Sequence, residues 1–151
     1  MIEERISSLG ITLPTPPKPA GSYIPVVQTG KLLFVSGQIP MKDGKVTFQG
    51  KVPTSLSIEE AQKASKLCTI NALAQIKNEV GTLDKISRIV KVSGFVNSSQ
   101  DFVDQPKVIN AASDLLFEIF GESGKHSRVA VGVASLPLNS AVEIDMIVEI
   151  N

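Results

Sequence analysis

A chain of 151 residues with 42% apolar content is long enough for one domain around one packed core. Its 15 basic residues balance its 15 acidic ones and aromatics make up 5%, so no basic surface with stacking rings marks a nucleic-acid binder. The single cysteine, Cys68, excludes an internal disulfide framework. No apolar run approaches the roughly 20 residues of a membrane span, and Met1-Ile2-Glu3-Glu4-Arg5 opens without a hydrophobic signal segment, so a soluble cytoplasmic protein is expected.

Residues 1–20 read as an N-terminal arm and residues 21–151 as one domain. A short helix over residues 1–9 ends at Gly10; Pro14, Pro16, Pro17 and Pro19 then favour extended polyproline geometry, laid on the domain or on a neighbour. Tyr23 to Val27 and Leu32 to Ser36 are expected strands around Gln28-Thr29-Gly30, where glycine supplies positive φ. Ser36-Gly37 then offers a hydroxyl and close backbone approach. Asp43-Gly44 is a second turn, feeding a strand at Val46 to Phe48.

Ser57 and Glu60 form a capping box, which predicts a helix from there to Val80, closed by Gly81. Ala61, Ala64, Cys68, Ala72 and Ile76 make its inner stripe, so Cys68 is expected as a small core residue and not as a nucleophile. Ile86 to Val96 is a long central strand. Pro106 is expected at the first position of a second helix, with Val108, Ala112, Leu115, Leu116, Ile119 and Phe120 inward and Gly121 ending it. His126, the one histidine, reads as a loop residue.

The closing stretch, His126 to Ile150, holds two runs of alternating β-branched residues around Leu136-Pro137. In the first, Val129, Val131 and Val133 share a face, and Arg128 shares the other with Ala130, Gly132 and Ala134. One arginine among tiny neighbours leaves room for a small anion. In the second, Val142, Ile144, Met146, Val148 and Ile150 face one way; Glu143, Asp145 and Glu149 face the other. One histidine and one cysteine cannot supply a typical zinc site, and there is no Walker loop or GxGxxG, so neither metal nor cofactor is expected.

Arg128, Leu136-Pro137 and Glu143 together resemble the C-terminal signature of the Rid family, the YjgF-like imine deaminases. Ser36-Gly37-Gln38-Ile39-Pro40 is similar to a second signature, and Asn110 matches a third position. The chain departs from the common pattern at Ala130, often cysteine there, and at Gly21-Ser22-Tyr23, usually Gly-Pro-Tyr. Its arm and residues 41–57 are longer than in the shortest members.

The order strand, helix, strand, helix, strand, strand predicts an α+β fold with both helices on one sheet face. The resemblance implies more: a chorismate-mutase-like mixed β-sheet, the last strand inserted between the first core strand and the central one, assembling as a homotrimer. It also implies hydrolytic deamination of 2-imino and enamine acids to 2-keto acids and ammonia. On that chemistry Arg128 grips a planar carboxylate, and Glu143 positions and deprotonates water. Ser36, Gly37, Tyr23, Asn110 and Ala130 fix the substrate's other edges. Alternatives are a non-catalytic small-carboxylate binder and an endoribonuclease or translation inhibitor. Under the implied strand order Arg128 begins its strand, whereas Ser36 and Gly37 end theirs beside Glu143. The site is therefore expected across a subunit interface.

Overall fold

The computed structural model describes residues 1–16, 18–19 and 21–151. Pro17, one of the four prolines of the arm, and Ala20, the arm's expected last residue, lie outside them. In chain order the elements are α1 (Ile2–Ser8), β1 (Val26–Thr29), β2 (Leu32–Gln38), β3 (Met41–Lys42), β4 (Lys45–Val46), α2 (Ile58–Val80), β5 (Ile86–Asn97), α3 (Gln105–Phe120), β6 (Ser127–Val133) and β7 (Val142–Ile150). β1, β2, β7, β5 and β6 lie in that order in one sheet. β7 runs antiparallel to both β2 and β5, and β5 pairs β6 in parallel. The last strand is thus inserted between the first core strand and the central one, as the resemblance implies. Local pattern could not dictate that choice, because the partners of β7 are distant in sequence.

α2 and α3 cover one face. Both bonds of the capping box are present: Glu60 N–H donates to Ser57 Oγ at 3.1 Å and Ser57 N–H to Glu60 Oε1 at 3.3 Å. The small stripe of α2 is fully buried and lets the helix lie close on the sheet. On the sheet side it meets Val142, Ile144, Met146 and Val148, which are buried at alternate positions of β7. α3 approaches even more closely at Gly94, where an added Cβ would stand 2.6 Å from Ile109 Cδ1. That contact sets α3 over the β5–β6 edge. α1 docks on the same chain: Ile6 is buried, Arg5 Nε–H donates to Glu118 O at 2.7 Å, and Leu83 N–H donates to Glu3 Oε1 at 3.0 Å.

Three local expectations shift. β1 begins at Val26 and leaves Tyr23 in a loop, because Pro25 has no N–H for the ladder. The second short strand stops at Val46; beyond it Phe48 O accepts from Ala141 N–H at 3.0 Å. Pro106 is the second residue of α3, still within the first turn, whose N–H groups lack helical acceptors. The Asp43-Gly44 turn carries φ of 52° and 77°, the left-handed pair of a tight hairpin.

The sheet's other face carries no helix. Val27, Phe34, Val129 and Val131 stand on it with 37–47% of their surface exposed.

Candidate active site

Arg128 lies on the helix side of edge strand β6, in register with buried Val92. Its Nη1 donates to Asn110 Oδ1 at 2.8 Å and to Ser113 Oγ at 3.2 Å. Asn110 and Ser113 are three residues apart on α3 and so share a face. Ser113 Oγ is in turn 2.9 Å from His126 Nε2, and His126 Nδ1 is 2.7 Å from Gly124 O. A Cβ on Gly124 would strike the backbone of α3 at Leu116, so glycine is what lets this turn close on the helix. These residues, with Phe117 and Lys125, line an open cleft of about 550 Å³. Lys125 is engaged elsewhere, 3.0 Å from Glu122 and 5.4 Å above the Phe117 ring. Among the described residues Arg128 has no carboxylate partner within 4.0 Å. Ala130, two positions on, faces the same side and adds only a methyl group.

A second group gathers on the helix-free face. The pairing of β2 with β7 is irregular between Val35 and Gln38. Ser36 N–H donates to Pro25 O and its hydroxyl to Ile24 O, both at 2.8 Å. Ser36 thereby fastens the loop that holds Tyr23, whose side chain is exposed, and its own proton is already spent. Gly37 sits against Glu143: an added Cβ would collide with the carboxylate, with Cδ only 3.0 Å away. Glycine here makes space and is not needed for backbone conformation. Glu143 forms no ion pair among the described residues. Burial raises its pKa above the ordinary carboxylate value, and the neighbouring Asp145 charge raises it further. Gly37→Ala is accordingly expected to displace the carboxylate and slow any reaction that uses it by about 10²-fold, read as kcat with unchanged circular dichroism.

The implied strand order sets Arg128 at the far end of the sheet from Glu143. The register corrects this. Arg128 is level with Val92 and Glu143 with Phe95, three residues along the same strand. That is about 10 Å along the strand and two strand spacings across. What separates them is parity: an odd offset points the two side chains to opposite faces. Arg128 and Asn110 meet in one group; Glu143, Gly37 and Ser36 lie in the other. Ser113 and His126 were missed, although the i, i+3 spacing to Asn110 and the two-residue spacing to Arg128 were visible.

A small mixed sheet with helices on one face, a guanidinium presented at one edge and a carboxylate without an ion pair among the described residues on the bare face together describe an α+β domain of chorismate-mutase-like fold. A family model described as "YjgF/chorismate_mutase-like, putative endoribonuclease" matches residues 3–150, and the chain belongs to this family, which bears out the Rid resemblance. It is 42% identical to Protein TCP17 of Trypanosoma cruzi over 99% of this chain and 94% of that one. It is 34% identical to a 2-iminobutanoate/2-iminopropanoate deaminase of Dermatophagoides farinae over 93% and 94%. The crystal structure of the protein Atu1372 from Agrobacterium tumefaciens superposes with a TM-score of 0.94 at 48% identity, covering 99% and 92%. Among the described residues no helix is long and apolar enough to cross a membrane.

Proposed function

We propose that this protein is a cofactor-independent imine deaminase, hydrolysing short 2-imino acids and their enamine tautomers to 2-keto acids and ammonia. The observation that carries the proposal is the pairing of a carboxylate-free guanidinium with a half-buried carboxylate that lacks an ion pair and has a raised pKa. The named deaminase of Dermatophagoides farinae, similar over nearly its whole length, supports the same chemistry.

Arg128 holds the substrate carboxylate. Water attacks C2 of the protonated imine while Glu143 takes the water's proton, and the C=N π electrons move to nitrogen. Glu143 then returns that proton to the carbinolamine nitrogen. Ammonia leaves as the hydroxyl collapses to a carbonyl and releases its proton. A raised pKa suits a group that must both accept and return a proton near neutral pH.

One chain keeps the two groups on opposite sheet faces, so the complete site requires a second copy. A homotrimer with sites between subunits supplies it, and the exposed apolar face of Val27, Phe34, Val129 and Val131 is the surface such copies would cover. Light scattering at micromolar concentration should give three times the 16.1 kDa chain mass; a monomer would remove both assembly and shared site.

The direct test generates 2-aminoacrylate with a dehydratase and follows pyruvate release with and without this protein. Acceleration is expected. Carboxylate binding without acceleration would make the protein a carrier or sensor, and cleavage of RNA in its place would favour the ribonuclease in the family's description.

A further inference from the structure

The cleft beside Arg128 contains two residues that the proposed chemistry leaves without a task, Ser113 and His126. Their hydrogen bonds fix the direction of every proton between them. Gly124 O only accepts, so His126 Nδ1 carries a proton. In the neutral ring Nε2 is then a lone pair, and the Ser113 hydroxyl, 2.9 Å away, donates to it. With its proton committed, Ser113 Oγ turns its lone pairs outward and accepts from Arg128 Nη1 at 3.2 Å. The second Nη1 proton goes to Asn110 Oδ1 at 2.8 Å. Nη1 is therefore saturated, and neither Nε nor Nη2 has an acceptor among the described residues. Those two atoms form the side-on edge that pairs with both oxygens of a carboxylate.

We propose that His126 is a positioning residue for substrate binding: through Ser113 it locks the Arg128 guanidinium with its Nε–Nη2 edge toward the ligand carboxylate. The inference rests on the carboxylate-anchoring role proposed for Arg128. Without the imidazole, the Ser113 hydroxyl is free to rotate and point its proton at the guanidinium. Arg128 then keeps only Asn110 and samples other rotamers before each binding event, a loss of preorganisation. Remote anchoring of this kind affects ground-state and transition-state binding alike, so it moves KM and leaves kcat in place.

The test uses pyruvate, the stable keto-acid product, as the binding probe for the full-length protein. His126→Phe should weaken pyruvate about tenfold, the scale of one hydrogen bond to a charged group, and raise KM similarly with kcat within about twofold. His126→Gln, which returns an acceptor near the Nε2 position, should recover much of that loss. Adding His126→Phe to Ser113→Ala should cost nothing further, because the serine is the intermediary. His126 is the chain's one histidine, so its nitrogen NMR signals are assigned without ambiguity. At alkaline pH, where the ring is neutral, they should report the Nδ1–H tautomer.

An Nε2–H tautomer, or additive effects of the two substitutions, would overturn the relay. Arg128→Ala without effect on pyruvate affinity would overturn the anchor itself and the relay with it. A large Arg128→Ala effect beside an unchanged His126→Phe protein would overturn the relay alone.

Discussion

Glu143→Gln should lower kcat by about 10²-fold or more while pyruvate affinity stays within about twofold, since a proton acceptor is lost and the guanidinium is untouched. The same substitution should make the protein more stable at neutral pH. Burial and Asp145 raise the folded-state pKa of Glu143 above its unfolded value. Between the two values the folded state binds more protons than the unfolded one, so stability falls as pH rises through that window. Above it the full cost of ionising a half-buried carboxylate remains. Glutamine does not ionise, so the variant's advantage appears above the window and vanishes below about pH 4. Urea midpoints at acidic and neutral pH measure it. Lower activity with higher stability would mark Glu143 as a residue kept for chemistry; equal activity would remove it from the mechanism.

The pH profile carries an independent readout. If the ionised carboxylate accepts the water's proton, kcat/KM falls as pH drops through the raised pKa of Glu143. Asp145 is the second cause of that elevation. Asp145→Asn should therefore move the acid limb of the profile toward lower pH, because removing a like charge eases ionisation. An acid limb that stays in place would assign it to another group.

Periodicity and punctuation made most of the elements readable. The alternation from Val142 to Ile150 predicted a half-buried strand, and every second residue of β7 is buried. Ser57 and Glu60 predicted the start of α2, and both bonds formed. Boundaries failed where a backbone donor was missing, as at Pro25, which leaves Tyr23 outside its expected strand. Strand order lay beyond any local pattern. In its place between β2 and β5, β7 buries Val142, Ile144, Met146 and Val148 beneath α2, and only the family resemblance anticipated that position. The candidate site shows the same division. Arg128 and Glu143 were each visible as charges on alternating strands, and even their faces could be read singly. Their mutual disposition required the register through Val92 and Phe95, which depends on how far β6 slides along β5. Ser113 stayed hidden because a serine within a helix is ordinarily solvated or bonded to its own backbone.

Mixed assemblies should reveal where the complete site lies. Arg128→Ala and Glu143→Gln chains, each nearly inactive alone, are expected to regain activity when their subunits exchange. Within a chain Arg128 points to the α3 side and Glu143 to the bare face, so the sheet itself stands between them. A site that uses both must draw them from different copies. In a closed ring each site takes its arginine from one chain and its glutamate from the next. After random mixing in equal amounts, half the sites receive an intact arginine and, independently, half receive an intact glutamate. About one quarter of the sites then pair two intact halves, and another quarter carry both lesions. Recovery should thus approach about one quarter of wild-type activity and fall away as either variant is placed in excess. Had both residues come from one chain, each site would carry exactly one lesion whatever the mixture. Verified exchange with no recovery would place them together and refute the division between faces.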